Sequence, residues 1–351
     1  MDHSELARAY AEAMGRPASK IERLPGGAGN RTYWRASDGT GQSAIVMELP
    51  PEPAKSEEVS KDAAAHDLPF LNVHRYLARL GVRVPRIYLD AHRRGFVVLE
   101  DLTDRTLEMA LRDGVPGAAA SWPEHRREIY ARAIDQLARL RAHAERDPDP
   151  SCLAFGRAFD FDLYQWEFEH FIEYGLVGRG AKPTEAELRE LRKTFTRISR
   201  QLAAAPRGFT HRDYQSRNIM VLPSGEQVVI DFQDALQGPR QYDLVALLRD
   251  SYVELPRDLI DEMLRRYLQK LPVEGGPKLD EREFVGFFDL LTVQRKLKDA
   301  GRFVFIDQVK KNPSFLAHIP SSLRYVKDAL ARRPELGKVR DILARHVPEL
   351  K

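Results

Sequence analysis

The chain has 351 residues, and its 55 basic and 52 acidic side chains give a formal net charge of +3. This near balance argues against a dedicated nucleic-acid-binding protein, whose binding face usually shows as a clear basic excess. With 43% hydrophobic residues and a length beyond one ordinary domain, the chain is expected to be globular with two lobes or domains.

Cysteine content and the N-terminal segment bear on the cellular compartment. Cys152 is the only cysteine, so an intrachain disulfide or a cysteine-based zinc site is excluded. The first residues include two acids and no apolar run, unlike a signal peptide. No apolar stretch approaches the roughly 20 residues of a membrane-spanning helix. We therefore predict a cytoplasmic protein without membrane association or an obligate protein partner.

The first hundred residues have the pattern of a small sheet with one inserted helix. Pro25–Asn30 is a glycine-rich turn, and the proline- and charge-rich residues 50–67 are predicted to be an exposed loop. Short apolar or aromatic segments predict the strands, and apolar residues at 3- and 4-residue spacing predict a helix. The other predicted elements are a helix over 4–14, strands over 32–36 and 44–49, a helix over 69–80, and strands over 86–89 and 96–100.

Beyond these strands the pattern is mostly helical. Ser121–Glu124 has the form of a capping box and opens a helix with one apolar face. Further helices are predicted over 161–174 and 185–202, and more after the single hairpin that interrupts them, with strands over 219–222 and 227–230. The sequence therefore predicts an α+β protein, with a small antiparallel sheet in front of a helical region.

The residues that flank this hairpin carry the strongest chemical signal. His211–Asn218 has the form H-x-D-x-x-x-x-N, and the strand after the turn ends in Asp231. Taken singly, each feature is more often a solvated loop or turn. Phosphoryl transfer needs a carboxylate to deprotonate the acceptor hydroxyl and oxygen ligands to hold Mg²⁺ against nucleotide phosphates. The combination predicts Asp213 as the catalytic base and Asn218 and Asp231 as metal ligands.

These segments resemble the aminoglycoside-phosphotransferase and choline-kinase superfamily, and the order of elements does so over nearly the whole chain. Residues 230–250, IDFQDALQGPRQYDLVALLRD, are similar to the anomeric sugar kinases of bacterial cell-wall recycling, as are residues 96–102 and 293–295. The resemblance implies a two-lobed protein-kinase-like fold. It also implies an ATP- and Mg²⁺-dependent kinase that phosphorylates the anomeric hydroxyl of N-acetylmuramate or N-acetylglucosamine.

The resemblance implies a place for the nucleotide as well. It divides the chain into an N-lobe over 1–99, a hinge over 100–104 and a helical C-lobe over 105–351. Adenine would contact backbone groups of the hinge, although a plain strand end explains that segment equally well. The phosphates would lie under the glycine turn, where backbone N–H groups can approach an anion. The predicted nucleotide-binding residues are Gly26, Gly27, Gly29, Asn30, Arg31, Glu100 and Leu102.

One departure from the wider kinase pattern concerns phosphate binding. The strand over 44–49 carries Met47 but no lysine, and the helix over 69–80 has no obvious glutamate partner. The joint absence of the lysine and the glutamate is physically consistent, because either charge buried without its partner would cost free energy. We expect the metal and other cations to neutralise the phosphates, with Arg31 as a candidate.

The acceptor site and the support of the catalytic loop are less clearly marked. Gln233 and Asp234 follow the metal aspartate, and Glu169 lies in an acidic, aromatic helix. We take these three as candidate acceptor-binding residues, beside the plainer interpretation that they are solvated polar side chains. His211 is expected to orient the catalytic loop, and by the resemblance Asp243 braces it.

Three other functions stay open. A kinase of choline or an aminoglycoside would use the acids near Asp162 to surround a cationic acceptor. A protein kinase is disfavoured, because no A-P-E segment follows Asp231 and a Gly238–Pro239 turn leaves little room for an activation loop. A non-catalytic nucleotide-binding module would require loss of function despite an intact Asp213.

Overall fold

The computed structural model describes residues 1–25, 31–50, 68–112 and 124–351. The glycine turn over 26–30, nearly all of the loop predicted over 50–67 and the first part of the capping box at 121–123 lie outside these ranges. The predictions made for them are therefore not addressed by the structure.

A five-stranded antiparallel sheet forms the N-terminal part of the protein. Its strands are β1 (Lys20–Arg23), β2 (Thr32–Ser37), β3 (Ser43–Glu48), β4 (Ile87–Ala91) and β5 (Phe96–Glu100). Their order across the sheet is β1-β2-β3-β5-β4, with every neighbouring pair antiparallel. Strands β2 and β3 form a hairpin, and its register pairs Ser37 with Ser43.

Each face of the sheet is covered by one helix, as side-chain alternation along the strands requires. Met47 and Leu99 belong to the main core, together with helix α2 (Pro69–Arg79). Val46, which precedes Met47 on β3, points to the other face and packs in a separate core with helix α1 (His3–Met14). The predicted sheet with an inserted helix is thus present, and α1 seals its second face.

The rest of the described chain is largely helical. The helices are α3 (Leu107–Arg112), α4 (Glu124–Arg146), α5 (Phe161–His170), α6 (Glu185–Ala203), α7 (Tyr242–Leu248), α8 (Arg257–Val273), α9 (Glu281–Lys310), α10 (Ile319–Ala331) and α11 (Gly337–His346). Two short antiparallel pairs lie among them. Their strands are β6 (Arg207–Thr210), β7 (Ile219–Val221), β8 (Gln227–Val229) and β9 (Leu236–Pro239), with β6 paired to β9 and β7 to β8.

Helix α9 runs through the middle of the helical region and packs against α5, α7 and α10. A π-helical segment, Phe171–Leu176, continues α5 and crosses α9 very closely. A Cβ added to Gly301 would lie only 2.9 Å from the Cα of Phe171, so the crossing requires glycine. Several polar side chains of α9, among them Gln294, Arg295 and Lys296, are buried. They face inward because α9 is enclosed by its neighbours.

The α+β architecture predicted from the sequence is confirmed, including the antiparallel sheet, the helical region and the β7–β8 hairpin. The residue limits of the two lobes and the hinge stay a prediction. In the ranges that the structure describes, no helix is both long and apolar enough to cross a membrane.

Candidate active site

The β7–β8 hairpin joins the segments that the sequence analysis selected. The catalytic loop, His211–Asn218, follows β6, and Asp231 comes two residues after β8. The amide Nδ2 of Asn218 donates to the carbonyl oxygen of Asp213 at 2.9 Å and lies 3.5 Å from Oδ2 of Asp231. The predicted base and the two predicted metal ligands therefore meet at one point.

Helix α7 and the residues after it hold the catalytic loop at both ends. The Asp243 carboxylate accepts hydrogen bonds from the backbone N–H groups of His211, at 2.8 Å, and Arg212, at 2.9 Å. Asp250, just beyond α7, accepts from the N–H of Ser216 at 2.8 Å. Arg212 has a φ of 78°, an uncommon value for a residue with a side chain, which these contacts stabilise. The geometry agrees with the bracing role expected of Asp243.

His211 connects the loop to the segment that carries Asp231, a predicted metal ligand. Its ring is fully buried, and Nε2 lies 3.0 Å from the carbonyl oxygen of Ile230, the residue before Asp231. A carbonyl only accepts, so Nε2 carries the proton. Burial lowers the pKa of His211 below its ordinary value, which favours the neutral ring. This histidine therefore fits an orienting role, as predicted.

We expect Asp243→Ala to lower the free energy of unfolding by about 2–5 kcal/mol, because two buried N–H groups lose a charged acceptor. Thermal or urea unfolding measures this loss. Asp258→Ala is the matched control: Asp258 is likewise the second residue of its helix, α8, but its side chain is 73% exposed. A control variant as unstable as Asp243→Ala would contradict the proposed bracing role.

The electrostatic surroundings of Asp213 suit a base that stays ionised. Burial alone would raise the pKa of its carboxyl, but Arg295, Arg212 and Lys298 outweigh burial and hold the pKa below its ordinary value. Nη2 of Arg295 lies 3.4 Å from Oδ1 of Asp213. The Asp213 side chain nevertheless keeps 36% of its surface exposed, so a substrate hydroxyl can approach it.

Asn218 and Asp231 supply the oxygen atoms that a magnesium ion prefers. Asn218 uses its amide nitrogen for both hydrogen bonds described above, which leaves its amide oxygen for a cation. Asp231 has a left-handed φ of 63°. Burial, together with the carboxylates of Asp213 and Asp234, raises the pKa of Asp231. A divalent cation would relieve this accumulation of negative charge, so the donor set fits the predicted metal.

The nucleotide side of the site is described only in part, because the glycine turn lies outside the described residues. The guanidinium of Arg31 lies 5.9 Å from the centre of the Phe70 ring and is close enough to Asp231 to oppose the rise of its pKa. At the predicted hinge, Leu102 packs with Met220 and Val228 in a small apolar cluster. An apolar surface there is compatible with an adenine ring.

The side chain of Glu100 has a structural partner, which limits its predicted role to backbone groups. Its carboxylate lies 2.5 Å from Nη2 of Arg83 and accepts from the N–H of Arg86 at 3.0 Å. Contact between backbone groups of the hinge and adenine stays a prediction.

The three candidate acceptor residues are placed differently. The side-chain nitrogen of Gln233 donates to Oδ1 of Asp231 at 2.7 Å and to Oδ2 of Asp234 at 3.3 Å, so this pair lies beside a predicted metal ligand. Glu169 instead forms an exposed ion pair with Arg192 of α6. This contact turns it to the outer face of α5, away from α9, which does not favour the acceptor role predicted for it.

Sequence reasoning missed the contribution of α9 to the site. Arg295 is buried, stacks on the Tyr242 ring at 4.6 Å and reaches Asp213. Glu167, one of the α5 acids near Asp162 that the sequence offered as pocket residues, is buried and accepts from Gln294 of α9 at 2.5 Å. The sequence did contain one signal, since residues 293–295 belong to a segment that resembles the sugar kinases.

Residues 20–282 match the sequence pattern of the phosphotransferase enzyme family, APH. The chain belongs to this family. It is an ATP-dependent phosphotransferase, and the family resemblance stated from the sequence is confirmed.

Curated relatives of the phosphotransferase extend over nearly its full length. A Pseudomonas putida protein is 31% identical over 336 residues, which cover 93% of this chain and 88% of the relative. A Pseudomonas aeruginosa protein is 32% identical over 330 residues, or 93% and 89% of the two chains. Both relatives are named N-acetylmuramate/N-acetylglucosamine kinase.

Solved structures identify the fold of the phosphotransferase. The ADP-bound aminoglycoside phosphotransferase APH(2'')-Ib superposes with a TM-score of 0.57 at 14% identity, covering 93% of this chain and 98% of that one. The choline kinase LicA from Streptococcus pneumoniae gives 0.56 at 14% identity, covering 93% and 100%. At this identity the likeness establishes the kinase-like fold and not the acceptor.

Proposed function

We propose that this phosphotransferase transfers the γ-phosphoryl group of ATP to the anomeric hydroxyl of N-acetylmuramate and N-acetylglucosamine. The observation that carries the proposal is the similarity, over 93% of the chain, to relatives named for these two acceptors. The assembly of Asp213, Asn218 and Asp231 supports it. Because ATP is the phosphoryl donor, we place the reaction in the cytoplasm.

Asp213 is the residue that handles the proton. Its carboxylate accepts the proton of the anomeric hydroxyl as that oxygen bonds to the γ-phosphorus, and the bond from the phosphorus to the bridging oxygen of ADP breaks. The products are the sugar 1-phosphate and ADP, and the proton leaves Asp213 for solvent. The depressed pKa of Asp213 keeps it ionised before each turnover.

Asn218 and Asp231 would hold the Mg²⁺ ion of the reaction. The bound ion would neutralise charge on the phosphate oxygens, as in other phosphoryl-transfer enzymes. Arg31, which lies near Asp231, is our candidate for the cation that acts where the kinase-like fold usually has a lysine.

The charges around Asp213 speak against a cationic acceptor. Choline and aminoglycosides carry positive charge, whereas Arg295 of α9 lies 3.4 Å from Asp213 and, with Arg212 and Lys298, lowers the pKa of its carboxyl. Glu169, one of the acids that made a cationic acceptor plausible from the sequence, is paired with Arg192. An uncharged or acidic sugar fits these surroundings better.

Mg²⁺-dependent ADP release against a panel of acceptors tests the proposal. The panel holds N-acetylmuramate, N-acetylglucosamine, glucose, choline and kanamycin, with 1-O-methyl-N-acetylglucosamine as the blocked control. We expect turnover of the two N-acetyl sugars and none of the 1-O-methyl derivative, since the methyl group removes the reacting hydroxyl. Turnover of choline or kanamycin alone would contradict the acceptor class but not the catalytic residues.

A further inference from the structure

The carboxylate of the proposed base has a single fixed neighbour. Nη2 of Arg295 lies 3.4 Å from Oδ1 of Asp213. Among the residues that the structure describes, no other side chain forms a hydrogen bond or an ion pair with this carboxylate. Asp243 and Asp250 hold the backbone of the catalytic loop and not this side chain. The direction in which the Asp213 carboxylate points therefore depends on Arg295.

Arg295 is itself held by an aromatic ring. Its guanidinium carbon lies 4.6 Å from the centre of the Tyr242 ring, and its side chain is only 2% exposed. Nε and Nη1 are buried and have no hydrogen-bond partner within the described part of the chain. Asp243 and Asp299, both described, influence the arginine electrostatically, but neither is close enough to form an ion pair with it. Stacking on Tyr242 is therefore the contact that orients the guanidinium.

The Tyr242 ring is tightly packed in its turn. It is fully buried, and the ring of Phe159 stacks on it with the two centres 4.1 Å apart. The Tyr242 hydroxyl is buried without a hydrogen-bond partner among the described residues, so the ring and not the hydroxyl supports Arg295. Tyr242 and Asp243 are the first two residues of α7. The start of one helix thus acts on the backbone of the catalytic loop and, through Arg295, on the carboxylate of its base.

We propose that Arg295, supported by Tyr242, is a positioning residue that fixes the orientation of the Asp213 carboxylate for proton transfer. Arg295 holds Oδ1 and leaves Oδ2 to accept the proton of the acceptor hydroxyl. The last torsion of an aspartate side chain has broad preferences, so an unheld carboxylate would turn easily. A displacement of about 1 Å in a reacting group can lower a rate by about 10²-fold. The inference rests on the proposed role of Asp213 as the base.

A double-mutant cycle with Asp213 tests the proposal. We expect Arg295→Gln to lower kcat by about 10–100-fold, the worth of a hydrogen bond to a charged group. The KM values of ATP and the sugar should change far less, because the arginine touches neither substrate. In the Asp213→Asn background the same change should lower kcat by no more than about twofold, since the carboxylate that Arg295 orients is already gone.

The matched control is Arg94→Gln. Arg94 also stacks on an aromatic ring, with its guanidinium carbon 4.8 Å from the centre of Phe96, but its side chain is 54% exposed. We expect this variant to have the kcat of the wild type in both backgrounds, since Arg94 has no contact with the catalytic loop.

Two further changes test the proposal should Arg295→Gln fail to fold. Arg295→Lys keeps the buried charge but loses the planar guanidinium, so it should also lower kcat, and this loss too should vanish in the Asp213→Asn background. Tyr242→Phe keeps the ring and should retain most of the turnover. Tyr242→Leu removes the stacking surface and should lower kcat while KM stays as in the wild type.

Two outcomes overturn the inference. Equal losses of kcat from the Arg295 variants in the two backgrounds would mean that the arginine acts independently of Asp213. A rise in the KM of either substrate in place of the fall in kcat would mean that it binds that substrate. A wild type that turns over none of the acceptors, or near-normal turnover by Asp213→Asn, would instead refute the proposed function or the proposed base.

Discussion

Asp213→Asn is expected to lower kcat by ~10²–10⁴, the usual contribution of a general base. Asparagine keeps the size and polarity of the side chain but cannot take up the proton of the acceptor hydroxyl. The carboxylate makes a 3.4 Å contact with Arg295 and is partly exposed, and the backbone of the loop is held by Asp243 and Asp250. The fold should therefore survive the change.

Steady-state ADP release with N-acetylglucosamine measures the effect, and KM should change far less than kcat. Asp341→Asn, an exposed aspartate of α11, is the control for the same chemical replacement elsewhere. Near-normal turnover by a cleanly folded Asp213→Asn protein would rule out Asp213 as the base.

Asp231→Asn is expected to reduce turnover by ~10²-fold or more, because a metal ion contributes several kcal/mol of charge stabilisation. Asparagine tolerates the left-handed backbone of residue 231 better than most residues do, so the local conformation should persist. The remaining activity should need more Mg²⁺ for half-saturation, since one anionic ligand has been lost.

A Mg²⁺ titration of ADP release separates this effect from a general loss of activity. Asp234→Asn is the matched variant, as it removes the neighbouring carboxylate that also contacts Gln233. If Asp234 serves the acceptor, its variant should change the KM of the sugar and leave the Mg²⁺ dependence as in the wild type. The reverse pattern would make Asp234, and not Asp231, the metal ligand.

The catalytic loop could be found from the sequence because its chemistry is local. Asp213 and Asn218 are five residues apart, and a short hairpin brings Asp231 to them, so spacing alone carried the information. The short apolar runs at residues 44–49 and 96–99 likewise predicted strands of the sheet. Capping residues and turn glycines then set the ends of several elements within a residue or two.

The contribution of α9 could not be found in this way, because only tertiary packing creates it. Arg295 is 82 residues from Asp213 in the sequence, and nothing in the spacing of either segment links them. Glu167 and Glu169 show the same limit on a smaller scale. Two positions along a helix point in nearly opposite directions, and the acidic pattern of α5 does not say which of them faces inward.

The double attachment of the catalytic loop to the α7 segment has a consequence for how the site can change during evolution. Asp243 and Asp250 fix the loop as the protein folds. The entropy cost of ordering the loop therefore belongs to folding and not to substrate binding, and the loop is preorganised. Arg295, which contacts Asp213, belongs to another helix, α9. Substitutions in α9 can therefore alter the surroundings of Asp213 without removing either attachment of the loop, so the position of the loop and the charges around it can evolve separately.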